Sequence, residues 1–223
     1  MDIRDEAMQL RNEKHQMIKT GLNAKMENSH DLAVVYTPGV AAPCLAIKEE
    51  EDKSLELTWR GNVVAVISDG TRVLGLGDIG PAAAMPVMEG KSALYKRFGN
   101  IDAIPIVLNT KDKDEIVRTI RILEKSFAGI NLEDFSSPKC YDIEDELKAT
   151  MNIPVFHDDQ HGTAVITLAG VINALKLVGK KLDEVKIVTS GAGAAGIAII
   201  RLLISMGLKN VIMTDRKVAI YEG

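Results

Sequence analysis

From residue 62 onward, short apolar runs alternate with longer stretches of helical period. VVAVI at 63–67, IPIVL at 104–108, AGINL at 128–132 and PVF at 154–156 read as strands. Between them, residues 112–125 place Ile116, Val117, Ile120 and Leu123 on one helical face. Ser137-Pro138 is a cap followed by a first-turn proline and opens a second helix. Strand, helix, strand in this rhythm predicts an α/β fold built on a parallel sheet. Near Gly179-Lys180-Lys181 the pattern restarts, with KIVTS as a strand, GAGAAG as a turn, IAIIRLLISMG as a helix and NVIMTD as a second strand. This predicts two domains, 1–178 and 179–223, the second being a Rossmann-type dinucleotide-binding unit. Two strands and one helix are fewer than a mononucleotide-binding half requires, so that unit is expected to be cut short. Ahead of the first sheet lie a helix expected over 4–20 and an irregular segment, YTPGVAAPC.

Composition narrows the classes. The 223 residues are 46% hydrophobic and 26% charged, with a formal net charge of −4 spread along the chain. No basic stripe suited to nucleic-acid phosphates is present. The start of the chain is charged throughout, and Asn173, Lys176 and Arg201 interrupt the most apolar stretches before about 18 residues accumulate. No membrane span is expected. Two distant cysteines, Cys44 and Cys140, fit a reducing compartment better than a disulfide framework, which makes the cytoplasm the expected location.

The candidate chemistry lies where carboxylates follow strands. Asp69 follows VVAVIS, Glu133 and Asp134 follow GINL, and Asp158 and Asp159 follow PVFH. In an open parallel sheet these positions share the carboxyl edge, where ligands bind. Acids gathered there repel one another unless a cation lies between them, and hard oxygen ligands suit Mg²⁺ or Mn²⁺. The alternative is structural: Asp158 and Asp159 cap a helix starting near Gln160, and Glu133-Asp134 is a solvated turn. His157 and His161 raise a zinc reading that no cysteine or third clustered histidine supports.

Other residues carry two readings each. Gly75, Gly77 and Gly80 spell GxGxxG, either a phosphate-type loop or a close turn. Arg72 offers a planar fork for a carboxylate, or is merely solvated. Lys91, in a small and apolar segment, is either a surface lysine or one whose pKa burial lowers toward that of a general base. Tyr36, in a Pro-Gly segment, is either functional or half-buried packing. Gly191, Gly193 and Gly196 sit between a strand and an apolar helix, the context that a dinucleotide fingerprint demands. Asp215 closes the next strand, where an acid accepts from ribose hydroxyls and favours NAD, although Arg216 and Lys217 are suited to the 2′-phosphate of NADP.

Taken in order, YTPGV, SDGTRVLGLGDIGPAAAMPVMEGK, GINLEDF, VFHDDQHGTA and GAGAAG resemble the short bacterial and archaeal type of malic enzyme across nearly the whole chain. The resemblance implies oxidative decarboxylation of malate to pyruvate, with Tyr36 as general acid and Lys91 as general base. It implies Glu133, Asp134 and Asp159 as ligands of Mg²⁺ or Mn²⁺, with Asp158 behind them against Lys91 and the metal. Arg72 would hold a malate carboxylate. Gly191, Ala192, Gly193, Ala194, Ala195 and Gly196, with Asp215, would hold NAD, or NADP. A homodimer is implied as well. Members of that family continue past the length of this chain, so the competing expectation is a chain that folds and binds metal or dimerises but does not catalyse. A dehydrogenase without decarboxylation is the other enzymatic reading, and the metal carboxylates argue against it.

Overall fold

The computed structural model describes residues 2–215 and 219–220. An N-terminal helical region holds α1 (Ile3–Lys14), α2 (Ser29–Val35), α3 (Ala41–Glu49) and the single turn α4 (Ser54–Leu57). The α/β body follows as β1 (Val63–Ser68), α5 (Pro81–Leu94), β2 (Asp102–Val107), α6 (Lys113–Ile122), β3 (Gly129–Leu132), α7 (Lys139–Thr150), β4 (Val155–His157) and α8 (Asp158–Val178). The remaining elements are β5 (Lys186–Ser190), α9 (Ala194–Ser205), β6 (Asn210–Thr214) and β7 (Ala219–Ile220).

The first sheet is parallel throughout, in the order β2-β1-β3-β4. Its central strands are covered on both sides, which is why they read as continuous apolar runs rather than alternating ones. Val63, Ala65 and Ile67 pack with Ile116 and Ile120 of α6 and Ile143 and Leu147 of α7 on one face. Val66 meets Met88 of α5 and Ala103 on the other. The strand order reverses direction between β1 and β3, so their carboxyl ends flank the crevice where such sheets bind ligands.

The second sheet has the order β5-β6-β7. Its first pair is parallel, but β7 is antiparallel to β6 and only two residues long, a strand that the sequence pattern did not announce. Ile200 and Leu203 of α9 form a small core with Leu208, against which Leu168 and Val171 of α8 pack. By length and composition alone α8 could cross a membrane, contrary to the expectation that no segment would qualify. A single Lys176 does not offset twenty mostly apolar neighbours. Here α8 packs along α9 and presents Asp158 and Asp159 in its first turn. The first helix is shorter than expected, ending at Lys14, where His15 takes a positive φ of 63°.

Candidate functional site

Two loops meet at the reversal between β1 and β3. Asp69 lies just past β1 and is 1% exposed; its carboxylate accepts from the amide and hydroxyl of Thr71 and pairs with Lys139 at the start of α7. The Thr71 hydroxyl accepts in turn from the Ser136 amide at 3.0 Å. The Arg72 amide donates to the Asp134 carbonyl at 3.0 Å, which joins the loop after β1 to the loop after β3. Gly70, at φ +69°, is wedged against the Gly80 carbonyl and leaves no room for a Cβ, so only glycine fits. Gly75, Gly77 and Gly80 lie in this loop between β1 and α5, with Val73 and Gly77 bridged across it. The close-turn reading is the one this placement supports.

Helix α5 brings Lys91 over the same edge. Its Nζ donates to Asp158 Oδ2 at 2.7 Å and lies 3.0 Å from Glu133 Oε1. Asn131, buried in β3, donates to Glu133 Oε2 at 2.9 Å and accepts from the Tyr95 hydroxyl at 3.0 Å. Tyr95 follows Lys91 by four residues and so shares its helix face. Asp134, at φ +59°, turns its amide toward Asp159 Oδ2, which it reaches at 2.8 Å. Of the strand-end carboxylates, Glu133, Asp134, Asp158 and Asp159 therefore converge, joined by Lys91 from α5, whereas Asp69 pairs with Lys139 and Thr71 instead.

The electrostatics follow from burial and from these pairs. Burial pushes the Glu133 carboxyl up to about 7, against the pull of Lys91 and Asn131. Burial and the charge of Asp159 raise Asp134 to about 6. Burial also acts to raise Asp159, but His157 and the Asp134 amide outweigh it and hold that carboxyl below its usual range. For Lys91 the expectation of a lowered pKa is reversed. Burial does pull it down, and is the largest single effect, but the bond to Asp158 and the charge of Glu133 together raise it above an ordinary lysine.

Several observations bear on a cation. Among the described residues, no three side chains of His, Cys, Asp or Glu stand close enough to cage an ion as they are. Lys91 holds Glu133 instead. Yet Asp134 Oδ2 is buried with no hydrogen-bond partner, and its neighbours are carboxylates whose oxygens suit a hard divalent ion. The capping alternative for Asp158 and Asp159 finds no support: α8 begins at Asp158 itself, its N-cap makes no side-chain bond, and the two acids face Lys91 and Asp134.

Not every candidate joins this cluster. Tyr36, just past α2, is 66% exposed, and its hydroxyl makes no hydrogen bond among the described residues. The Arg72 side chain points outward, although its backbone is tied to Asp134. In the second sheet, Gly191 has φ +110° and the Gly196 Cα faces the Gly191 carbonyl too closely for a side chain. Open space lies beside Gly193. Arg216 and Lys217, the cations weighed for NADP, lie outside the described residues. Sequence reasoning missed Asn131 and Tyr95. A polar Asn inside an apolar strand was the one available signal.

The malic enzyme N-terminal domain family matches residues 12–148, and the malic enzyme NAD-binding domain family matches residues 160–219. The chain belongs to the malic enzyme family. It is 53% identical to the bifunctional malic/malolactic enzyme of Bacillus subtilis over 100% of this chain and 54% of that protein. It is 52% identical to the NADP-dependent malic enzyme of Haemophilus influenzae, over 89% of this chain and 26% of that one. The crystal structure of the NAD-dependent malic enzyme of Thermotoga maritima superposes with a TM-score of 0.94 at 48% identity, over 97% of this chain and 58% of that chain. The chain thus spans about half or less of the length of the curated malic enzymes it matches.

Proposed function

We propose that this chain serves the oxidative decarboxylation of malate to pyruvate and CO₂ with reduction of NAD or NADP. The observation that carries the reading is the position of Lys91, gripped by Asp158 and Glu133 beside Asp134 and Asp159 at the sheet reversal. In this reading residues 1–178 carry the acid–base and metal site and residues 179–223 begin the dinucleotide site. The protein works as a cytoplasmic homodimer.

Glu133, Asp134 and Asp159 would hold Mg²⁺ or Mn²⁺, and Asp134 Oδ2 is the oxygen that has no competing partner. When bound, such an ion supplies Lewis-acid polarisation of the substrate oxygen during loss of CO₂. Lys91 takes the proton of the malate C2 hydroxyl as hydride leaves for the nicotinamide. To accept it, Lys91 must first give up its own proton, which the charges of Glu133 and Asp158 now retain. Turning Glu133 away from Nζ removes one of those two holds. Asp158 keeps the amine aimed at the crevice. Arg72 binds a malate carboxylate, and Tyr36 returns a proton to C3 of the product enolate. Gly191 to Gly196 receive the pyrophosphate at the α9 N-terminus, and Asp215 tilts the choice toward NAD.

The two chemical steps separate in one variant. Oxidation needs a base at the hydroxyl, whereas decarboxylation of oxaloacetate starts from a carbonyl with no proton to remove. Lys91→Ala, assayed in this chain fused to the C-terminal half of the Bacillus subtilis relative, should abolish NAD(P)H formation from malate. Mn²⁺-dependent loss of added oxaloacetate should survive in part. Equal loss of both activities with fold intact would refute the assignment of Lys91.

A further inference from the structure

Behind Asp159 lies a buried chain of polar groups that the chemistry above does not use. His157, the last residue of β4, is completely buried. Its Nδ1 is 2.7 Å from Gln160 Nε2, and its buried Nε2, which makes no hydrogen bond as placed, lies 3.2 Å from Asp159 Oδ2. Gln160, 5% exposed, also sends Nε2 to Glu144 Oε2 at 2.8 Å. Glu144, 3% exposed, meets Lys148 and His161 through its other oxygen, each at 2.6 Å.

The order of donors along this chain is forced. An ionised carboxylate only accepts, so Glu144 compels Gln160 to turn its NH₂ inward. That NH₂ has two hydrogens, one for Glu144 and one for His157. Nδ1 of His157 must then offer a lone pair, and the ring hydrogen sits on Nε2, facing Asp159. Asp159 Oδ2 accepts from the Asp134 amide and has the hydrogen-bearing His157 Nε2 3.2 Å away on its other side, close enough for a small ring rotation to complete a second bond. Its Oδ1 makes no hydrogen bond among the described residues and is left for a cation.

We propose that Glu144, Gln160 and His157 are positioning residues, a relay that fixes the His157 tautomer and so turns Asp159 Oδ1 toward the metal site. The proposal rests on the metal reading given above. It also accounts for both histidines of HDDQH without zinc: one orients Asp159, and the other helps to anchor Glu144. Outer partners of this kind typically change metal affinity about 10–100-fold when removed.

Two measurements on the protein test it. Long-range ¹H–¹⁵N spectra of the histidine rings should find His157 with hydrogen on Nε2 and none on Nδ1, and Gln160→Met should abolish that preference. Mn²⁺ affinity, read from the electron paramagnetic resonance of free Mn²⁺, should fall about 10–100-fold in His157→Leu. In His157→Gln, whose amide can present N–H where Nε2 stood, affinity should stay within a few-fold of wild type. Gln160→Met leaves both His157 and Asp159 in place and should weaken Mn²⁺ as well. A wild type with the hydrogen on Nδ1 overturns the relay, and so does His157→Leu binding Mn²⁺ as tightly as His157→Gln. A wild type that binds no Mn²⁺ overturns the metal reading, and this role falls with it whatever the tautomer.

Discussion

Neutralising Glu133 should make the metal-free protein more stable at pH 8, although the residue lies at the centre of the candidate site. Its carboxyl is raised from 4.5 to about 7, chiefly by burial. Between those values the native state holds a proton that the unfolded chain has lost. The stability this confers is fully present below 4.5 and disappears as the pH rises through 7. A rise of about 2.5 pH units corresponds to roughly 3 kcal/mol, at about 1.4 kcal/mol per unit. The Glu133 side chain is only 7% exposed, so solvent screening removes little of this. Asp134, raised to about 6, adds a loss of the same sign that is complete at lower pH. Asp159 is shifted the other way, and its effect falls below the ordinary aspartate range, outside this window. Glu133→Gln keeps an oxygen for Asn131 and leaves Lys91 its bond to Asp158. The variant should gain roughly 2–3 kcal/mol over wild type at pH 8 and almost nothing at pH 4.5, before any allowance for side-chain rearrangement. Urea unfolding in EDTA at pH 4.5, 6, 7 and 8, followed by far-UV circular dichroism, measures both. If Glu133→Gln is no more stable than wild type at pH 8, burial is not what dominates this carboxyl. A site that costs stability in this way is the expected signature of function.

Lys139→Met leaves the fully buried Asp69 carboxylate without its cation and should destabilise the fold by about 3–5 kcal/mol in urea titrations at pH 7, because an uncompensated buried charge remains. A loss below about 1 kcal/mol would mean that Thr71 alone satisfies Asp69. Gly196→Val forces α9 away from the Gly191 carbonyl and should cost about 1–3 kcal/mol of stability, with at least tenfold weaker NAD binding by calorimetry in the fused protein. Unchanged binding would remove the fingerprint from the cofactor site.

The strands of the first sheet were legible because burial on both faces writes them as unbroken apolar runs, and Ile116, Val117 and Ile120 announced α6 by period. The convergence of Glu133, Asp134, Asp158 and Asp159 was legible for a topological reason: parallel strands deliver their ends to one edge. What the sequence could not carry is pairing across elements. Lys91 meets Asp158 67 residues away, and that contact, together with Glu133, reverses the pKa shift that burial alone would cause. Glu144, Gln160 and Asn131 look like ordinary polar positions until their partners are seen. β7 was missed because two residues carry no periodicity.

The central claim is that the carboxylates after β3 and β4 form a divalent-metal site. Titration of Mn²⁺ with this chain at pH 7.5, read from the loss of the free-ion paramagnetic signal, tests it directly. One ion should bind per chain, and Asp134→Asn and Asp159→Asn should each weaken it by at least tenfold. The unfolding midpoint of Asp134→Asn should stay close to or above wild type, whereas that of Asp159→Asn should fall, because the fold stabilises the ionised Asp159 carboxylate. A wild type that leaves the Mn²⁺ signal unchanged, or variants that bind as tightly as wild type, would contradict the account.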